Sequence, residues 1–286
     1  ECKVTGITPI ICSTLPENIN EEVGKKILKL GGVPMQGVLN CLNAVRHLVD
    51  YFSFDDRKGL QSFKLVDYKN YKYKFTNEYQ GKSHIKEKGI KVPLGIILQD
   101  TKDLAKEKIQ FPVVLKFTSN TILHKTEMGA VKLNINNHEE LIKNHIKMKK
   151  MVGKKELENG LFFIEEMLPT PIAEMFLSIR QDKTFGNILV LGMGGSLTEL
   201  YRDTKTFVLP ASKRFILKEI RKMKFFNLIN GFRGNSKVDL NMIMAEIFKI
   251  IKFHQEEANK CHSIEINPAF VYRDIMIASD CVLSTG

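Results

Sequence analysis

The stretch ILHKTEMGAVKL, residues 122 to 133, places a histidine beside a lysine and follows them with a threonine and a glycine. Backbone amides in such a turn can approach phosphate oxygens. His124, Lys125 and Gly129 therefore allow two readings, a phosphate-handling loop or a hairpin turn with incidental polar residues. Just upstream, FPVVLK ends an apolar run in Lys116, either snorkelling from a sheet edge or aimed at an anion. FFIEEM offers Glu165 and Glu166 after another apolar run. Successive strand residues point to opposite faces, so one carboxylate can face a cleft while the other meets solvent; alternatively both lie on the surface. LGMGGSLTE carries Gly194, Gly195 and Glu199. The glycine turn can admit a ligand, but it lacks the G-x-G-x-x-G spacing and a following helix, which excludes a dinucleotide fingerprint. IEINP and the later Ser-Asp pair supply Glu265, Asn267 and Asp280. Carboxylate and amide oxygens together suit hard Mg²⁺, and Asn before Pro is equally an ordinary turn residue.

These groups need elements to hold them, and the periodicity supplies an alternation of strands and helices. ITPIIC and VPMQG read as short strands. INEEVGKKILKLGG reads as a helix capped by Asn20 and stopped at Gly31 and Gly32, and CLNAVRHLVDYF as a second helix. Residues 52 to 76 are polar, basic and aromatic and read as a linker. A helix ending at Gly89 and a strand at PLGIIL follow. Next come a short helix at DTKDLAKEKI, strands at FPVVLKF with its lysine head at the end, and AVKLNI. A helix at NHEELIKNHIKMKKMV and a strand at GLFFIEEML complete this part. The last third repeats the pattern: a buried strand, one helical stretch over SKRFILKEIRKMKFFNLI, a helix over DLNMIMAEIFKIIKFHQ, and a closing hairpin turning near Arg273 and Asp274.

Bulk properties narrow the class. With 286 residues and 43% hydrophobic content, a sizeable core is available and disorder is excluded. No apolar run approaches the ~20 residues that span a bilayer, so no membrane partner is expected. Five scattered cysteines without a C-x-x-C pair point to reduced thiols in a cytoplasmic compartment and away from zinc. The chain opens on Glu1 without a signal pattern, and is expected to be a processed product or part of a longer chain. The formal charge of +11 is concentrated: residues 64 to 160 hold 20 Lys, no Arg and 11 acidic residues, a balance of 20 − 11 = +9. Such a segment could face a polyanion, but no nucleic-acid motif accompanies it, and a solvated lysine-rich face is the simpler reading.

In order, GIKVPLG, FPVVLK, ILHKTEMGAVKL, FIEEM, GMGGSLTE, GFRG and IEINP…SD resemble the ATP-grasp portion of the NDP-forming acyl-CoA synthetases, relatives of succinyl-CoA synthetase that include ADP-forming acetate--CoA ligase. The resemblance covers roughly residues 77 to 286. Residues 7 to 51, especially ILKLGGVPMQGVLNCLNAVRHLVDY, resemble more loosely the tail of that family's CoA-ligase domain. It implies an α/β (α+β) fold: an ATP-grasp domain over 77–286, with lobes 77–165 and 166–286. A partial flavodoxin-like CoA-ligase segment over 1–60 and a linker over 61–76 would precede it. It implies that Lys116, Lys125, Gly129, Gly194, Gly195 and Glu199 serve the nucleotide, and that Glu165, Glu166 and Met167 form the adenine hinge. Glu265, Asn267 and Asp280 would hold Mg²⁺. His124 would accept a phosphoryl group, since a neutral imidazole nitrogen is a competent nucleophile and Lys125 with the turn amides would offset the transferred charge. The implied cofactors are Mg²⁺ and ATP/ADP, with GTP/GDP as the other choice. The implied partners are CoA and an acyl substrate, held by a CoA-binding domain or partner chain, in an oligomer.

The chain departs from the family pattern at Ala130 for a loop glycine, at Gln181 and Phe207 for arginines, and at Cys281-Val282 after Asp280. Losing cations from a phosphate site removes charge-assisted contacts. Two functions are therefore expected: a phosphohistidine-using acyl-CoA synthetase part, or a catalytically impaired relative acting as an interaction or structural subunit.

Overall fold

The computed structural model describes residues 6–52, 74–99, 109–120, 129–195, 203–234, 236–257 and 261–285. The chain divides into two compact units, Glu1–Gly59 and Leu60–Gly286. No helix among the described residues is long and apolar enough to cross a membrane.

In the first unit, β1 (Ile10–Ser13) runs parallel to β2 (Val33–Gln36), with Ile10 opposite Val33. Helix α1 (Glu21–Lys29) starts where the Asn20 side chain accepts the Val23 N–H at 2.9 Å. Helix α2 (Val38–Phe52) follows β2. The unit buries little: α1 has no buried residue, and Leu30, Leu39 and Leu42 are all exposed.

The second unit holds two antiparallel sheets. The larger has the order β10-β9-β8-β11-β13-β3, with β12 also paired to β11. Its strands are β3 (Lys74–Phe75), β8 (Ala173–Asp182), β9 (Gly186–Met193), β10 (Thr204–Val208), β11 (Cys261–Val271), β12 (Met276–Ala278) and β13 (Cys281–Thr285). The smaller has the order β4-β7-β5-β6, from β4 (Gly95–Leu98), β5 (Val113–Ser119), β6 (Val131–Ile135) and β7 (Gly160–Glu166). Helix α3 (Glu78–Glu87) leads into β4, and α4 (His138–Met151) and α5 (Lys154–Asn159) precede β7. Helices α6 (Lys213–Ile220), α7 (Lys224–Ile229) and α8 (Leu240–Glu256) follow β10. Their apolar stripes, including Ile216, Ile220, Ile229, Ile243, Ile247 and Ile250, bury against Leu177, Leu189 and Ile264 of the large sheet. On the small sheet, Leu141 and Met148 of α4 join Leu115 and Phe117 in a second core. Burying such side chains is worth about 1.5–3 kcal/mol each, enough to fix which face of each sheet turns inward.

Four expectations change. Lys116 is not at a strand end, because β5 continues to Ser119 with every residue buried. The stretch from 213 to 230 is two helices, because Met223 leaves the helical region (φ −80, ψ 152) and opens α7. Lys74 and Phe75, expected in the linker, pair with β13. Finally, α3 lies in the first-lobe sequence, but its Ile85 belongs to the core of the large sheet, and α3 rests on β13 through Gly81. A Cβ there would sit 2.3 Å from the Cys281 carbonyl oxygen, so only glycine allows that approach. The short helix expected over DTKDLAKEKI lies, except for Ile109, outside the described residues.

One buried group sets a pH dependence. His254 of α8 is 1% exposed, its Nδ1 has no hydrogen-bond partner among the described residues, and Nε2 lies 3.3 Å from the His262 carbonyl oxygen. Burial holds its imidazole below the ordinary value. A folded value below the unfolded one means that, as pH falls under about 6.5, the unfolded chain takes a proton the folded chain refuses. Stability is expected to fall with a slope approaching ~1.4 kcal/mol per pH unit from this group. Denaturant titrations from pH 7.5 to 5.0 check this: His254→Leu should flatten the decline relative to the parent.

Candidate functional site

Where the two sheets of the second unit meet, four charged side chains lie out of water. Asn77 caps α3 with a reciprocal pair, its side chain accepting from Gln80 N–H at 2.9 Å and its own N–H donating to Gln80 Oε1 at 3.2 Å. That fixes the first turn and with it Glu78, whose N–H donates to Thr118 Oγ1 at 3.0 Å. Lys116, opposite Phe163 of β7 in register, reaches Glu78 Oε1 at 2.6 Å and Glu165 Oε2 at 3.0 Å. Lys82 reaches Glu78 Oε1 at 2.7 Å and also pairs with Glu165. Both ammoniums donate to the Ser279 carbonyl, at 3.2 Å from Lys82 and 3.1 Å from Lys116. All four side chains are at least 90% buried. Burial alone would push the Lys116 ammonium down, but Glu78, Glu165 and Asp280 outweigh it and hold it above the usual lysine range. Lys116 is thus a permanent cation in a low-dielectric setting, where a charge acts strongly on an anion.

Of the two successive glutamates, Glu165 joins this cluster, while exposed Glu166 accepts the Leu94 N–H at 2.8 Å. The Met167 N–H donates to the Pro112 carbonyl at 3.1 Å, fastening the expected hinge to the edge of β5. Glu78 and Lys82 were not singled out from the sequence, because a Glu and a Lys four apart on a helix read as a surface pair. Their signal was there. Glu78, Gly81, Lys82 and Ile85 form the buried stripe of α3, at the i, i+3, i+4, i+7 spacing of a core-facing side.

The proposed metal ligands stand on β11 and at the bend before β13. The pairing of β11 with β8 shifts register between Ile266 and Ala269, and Asn267 sits in that irregularity. Its Oδ1 accepts the Gly195 N–H at 2.9 Å. Partial burial, and then the charge of Asp280, raise the Glu265 carboxyl, with Arg180 acting oppositely. Asp280 is thus close enough to act on Glu265 and on Lys116. Two mutually repelling carboxylates are a donor set that a hard divalent cation relieves.

Next to the Asn267–Gly195 contact is a pocket of about 240 Å³ lined by Ile172, Glu174, Met193, Gly194 and Leu228 among others. Among the described residues its one charged wall is Glu174, whose carboxyl burial holds above the usual range. The Gly194 N–H donates to the Glu174 carbonyl at 2.8 Å. Gly195 adopts φ +74, and a Cβ there would lie 1.7 Å from Glu174 Oε2. The glycine turn therefore brings backbone against a carboxylate, a function that its spacing left open. Glu174 was missed because it sits in a strand sequence, AEMFL, with no distinguishing neighbour.

Gly129 has φ +67, and buried Ala130 follows it, accepting the Phe117 N–H at 2.8 Å. His124, Lys125 and Glu199 lie outside the described residues.

The sequence profile described as the ATP-grasp domain matches residues 69–284. The subunit beta of acetate--CoA ligase (ADP-forming) I from Pyrococcus furiosus is 30% identical over 207 residues, covering 71% of this chain and 88% of that subunit. The acetate--CoA ligase (ADP-forming) of Methanocaldococcus jannaschii is 29% identical over 204 residues, 69% of this chain; the match spans 29% of that longer protein. A solved structure of Candidatus Korarchaeum cryptofilum dinucleotide-forming acetyl-coenzyme A synthetase 1, in complex with coenzyme A, Ca-AMPCP and HgCl+, superposes with a TM-score of 0.67 at 27% identity. That match covers 74% of this chain and 94% of that one. The chain therefore belongs to the ATP-grasp family, as the ATP-grasp part of an ADP-forming acyl-CoA synthetase.

The two positions at which the resemblance leads one to expect arginine differ in kind. Phe207 is 2% exposed and meets Phe215 edge-on at 5.9 Å and 88°. It is part of the large-sheet core, so no cation fits there without displacing it. Gln181 adjoins Arg180, which β-alternation puts on the opposite face, the face of Glu265. Phe207→Arg is expected to cost at least about 3 kcal/mol, from lost packing and a buried unpaired charge. Thermal denaturation checks it; an unchanged melting temperature would show that the site is open to a cation.

Proposed function

We propose that the second unit binds a magnesium-bound adenine nucleotide where its two sheets meet, and that the chain serves the reaction acyl-CoA + ADP + phosphate ⇌ acid + CoA + ATP. The observation that carries this is the buried ammonium of Lys116, hydrogen-bonded to the Ser279 carbonyl and close enough to feel the charge of Asp280, which also acts on Glu265. A desolvated ammonium next to two carboxylates suits a phosphate chain that arrives with its cation. Lys116 takes a phosphate oxygen. Asp280 and Glu265, with Asn267 beside them, would hold Mg²⁺, which supplies charge neutralisation between phosphates when bound. The Glu174 pocket takes the nucleoside, its carboxyl facing hydroxyl donors. The hinge at Glu165–Met167 and the turn at Gly194 and Gly195 frame it.

His124 is the phosphoryl acceptor in this reading. Its imidazole nitrogen attacks the γ-phosphorus, the bond to the bridging oxygen breaks, and ADP leaves with that electron pair. Lys125 and Gly129 belong to the same sequence motif and would offset the transferred charge, while Glu199 would serve the nucleotide with Gly194 and Gly195. CoA and the acyl group need a further domain or chain, which the first unit would adjoin as part of a CoA-ligase domain. A second reading, a relative that binds nucleotide without transfer, is favoured by Phe207, which puts a core residue at a family cation position.

Nucleotide binding is expected to appear as a thermal shift with Mg-ATP and Mg-ADP, with the guanine nucleotides run beside them. A ligand at one hundred times its Kd stabilises a fold by about 2.7 kcal/mol. No shift at millimolar concentrations of any of the four would overturn the site.

Transfer is tested separately with γ-radiolabelled Mg-ATP. A base-stable, acid-labile label that disappears in His124→Ala is expected. Label persisting in that variant removes His124 from the mechanism, and no label with intact nucleotide binding selects the second reading.

A further inference from the structure

Lys82 has no place in the roles given above, yet it copies Lys116 contact for contact. Each ammonium bonds Glu78 Oε1, at 2.7 Å from Lys82 and 2.6 Å from Lys116. Each pairs with Glu165, on different oxygens. Each donates to the Ser279 carbonyl, and each lies over the Phe163 ring, at 5.0 and 5.8 Å. An ammonium has three N–H groups, and three oxygens surround Lys116 within 3.1 Å. Two of these contacts are hydrogen bonds, to Glu78 Oε1 and the Ser279 carbonyl, and the third is an ion pair with Glu165, so a phosphate that draws Lys116 out competes with both carboxylates for its charge. With Lys116 as the sole cation, moving it to a phosphate would weaken the pairing of two buried carboxylates at once, the costly way to break a buried ion pair.

We propose that Lys82 is a positioning residue for the nucleotide site, a stand-in cation that keeps Glu78 and Glu165 paired while Lys116 turns to the phosphate chain. This rests on the nucleotide reading above. The geometry suits the exchange. Glu78 Oε1 is shared by both ammoniums, so releasing one leaves the other in place. The backbone carbonyl of Ser279, immediately before Asp280, ties the exchange to the bend that carries a proposed metal ligand. Lys82 itself stays on α3, held by its i,i+4 bond to Glu78 and by the close seat of Gly81 on Cys281. It touches no nucleotide.

A tether that merely braced α3 against the small sheet would make different demands. Losing it would loosen the whole site and weaken every ligand alike. A stand-in cation matters only to ligands that draw Lys116 away. The experiment compares Mg-ADP, measured by isothermal titration, with adenosine, measured by ligand-observed NMR, on the full chain. Lys82→Met is expected to weaken Mg-ADP at least tenfold and to leave adenosine within twofold. Lys82→Met with Glu78→Gln, which restores the balance of cations and carboxylates, is expected to recover most of the Mg-ADP affinity. Glu78→Gln alone frees Lys116 and is expected to tighten Mg-ADP, and it decides the matter if Lys82→Met does not fold. Equal weakening of both ligands, unchanged Mg-ADP affinity in Lys82→Met, a loss that Glu78→Gln does not rescue, or weaker Mg-ADP binding by Glu78→Gln alone would each overturn the inference. A parent protein that binds neither ligand refutes the nucleotide reading, and the inference falls with it. A parent that binds both while the variants fail the pattern refutes the stand-in alone.

Discussion

Two ammoniums and two carboxylates share the interior where the small and large sheets of the second unit meet, and removing four charges from water is tolerable only when each is paired. The arrangement meets that demand by sharing: Glu78 Oε1 serves both lysines, Glu165 offers one oxygen to each, and the Ser279 carbonyl closes both sets. Breaking such a buried pair by removing one member costs about 3–5 kcal/mol, whereas a solvated pair is worth at most about 1. Much of the surrounding fold can be read as what holds these groups in register. The capping box at Asn77 sets Glu78, the glycine at 81 lets α3 come down on β13, and the antiparallel pairing of β5 with β7 places Lys116 opposite Phe163 and near Glu165.

The same cluster links the elements. Glu78 and Lys82 come from a helix whose Ile85 belongs to the large-sheet core, Lys116 and Glu165 from the small sheet, and Ser279 from the bend between β12 and β13. In the proposed site a phosphate drawn to Lys116 would therefore meet a group tied to both sheets. The glycine turn after β9 has a comparable role at the pocket. Gly195 accepts a left-handed conformation that other residues resist, its N–H is fixed by Asn267, and the missing Cβ leaves space for the Glu174 carboxylate.

Much of this was legible in the sequence, for identifiable reasons. Apolar periodicity outlined most strands and helices because burial sets the period. Asn20 and Gly31 marked α1 because caps answer to local chemistry. Lys116 and Glu165 drew notice as charges following apolar runs and Asp280 as an oxygen donor grouped with Glu265 and Asn267, and the order of the motifs gave them expected roles. The missing parts depend on tertiary contact. Glu78 and Lys82 look like a surface pair until α3 is seen to bury that side. Glu174 becomes a candidate only once the glycine turn folds against it. The break at Met223 and the extension of β5 past Lys116 are decided by packing on the sheets, which outweighs local propensity.

The departures from the family pattern fit the same physics. A cation lying out of water is constrained by every partner it neutralises, so losing either Lys82 or Lys116 would leave one ammonium to balance both Glu78 and Glu165. A position whose side chain can turn into an apolar core has no such constraint. Phe207 shows the result: an aromatic ring there gains packing against Phe215 and leaves no charge unpaired. Arg180 and Gln181 illustrate the strand version, in which neighbouring residues serve opposite faces and a cation can stand beside Glu265 without occupying the family's usual position. The electrostatic centre of the site and its periphery are thus under different physical control. Substitutions at the periphery are weak evidence against nucleotide binding, because the buried cluster that would draw phosphate is held by its own desolvation.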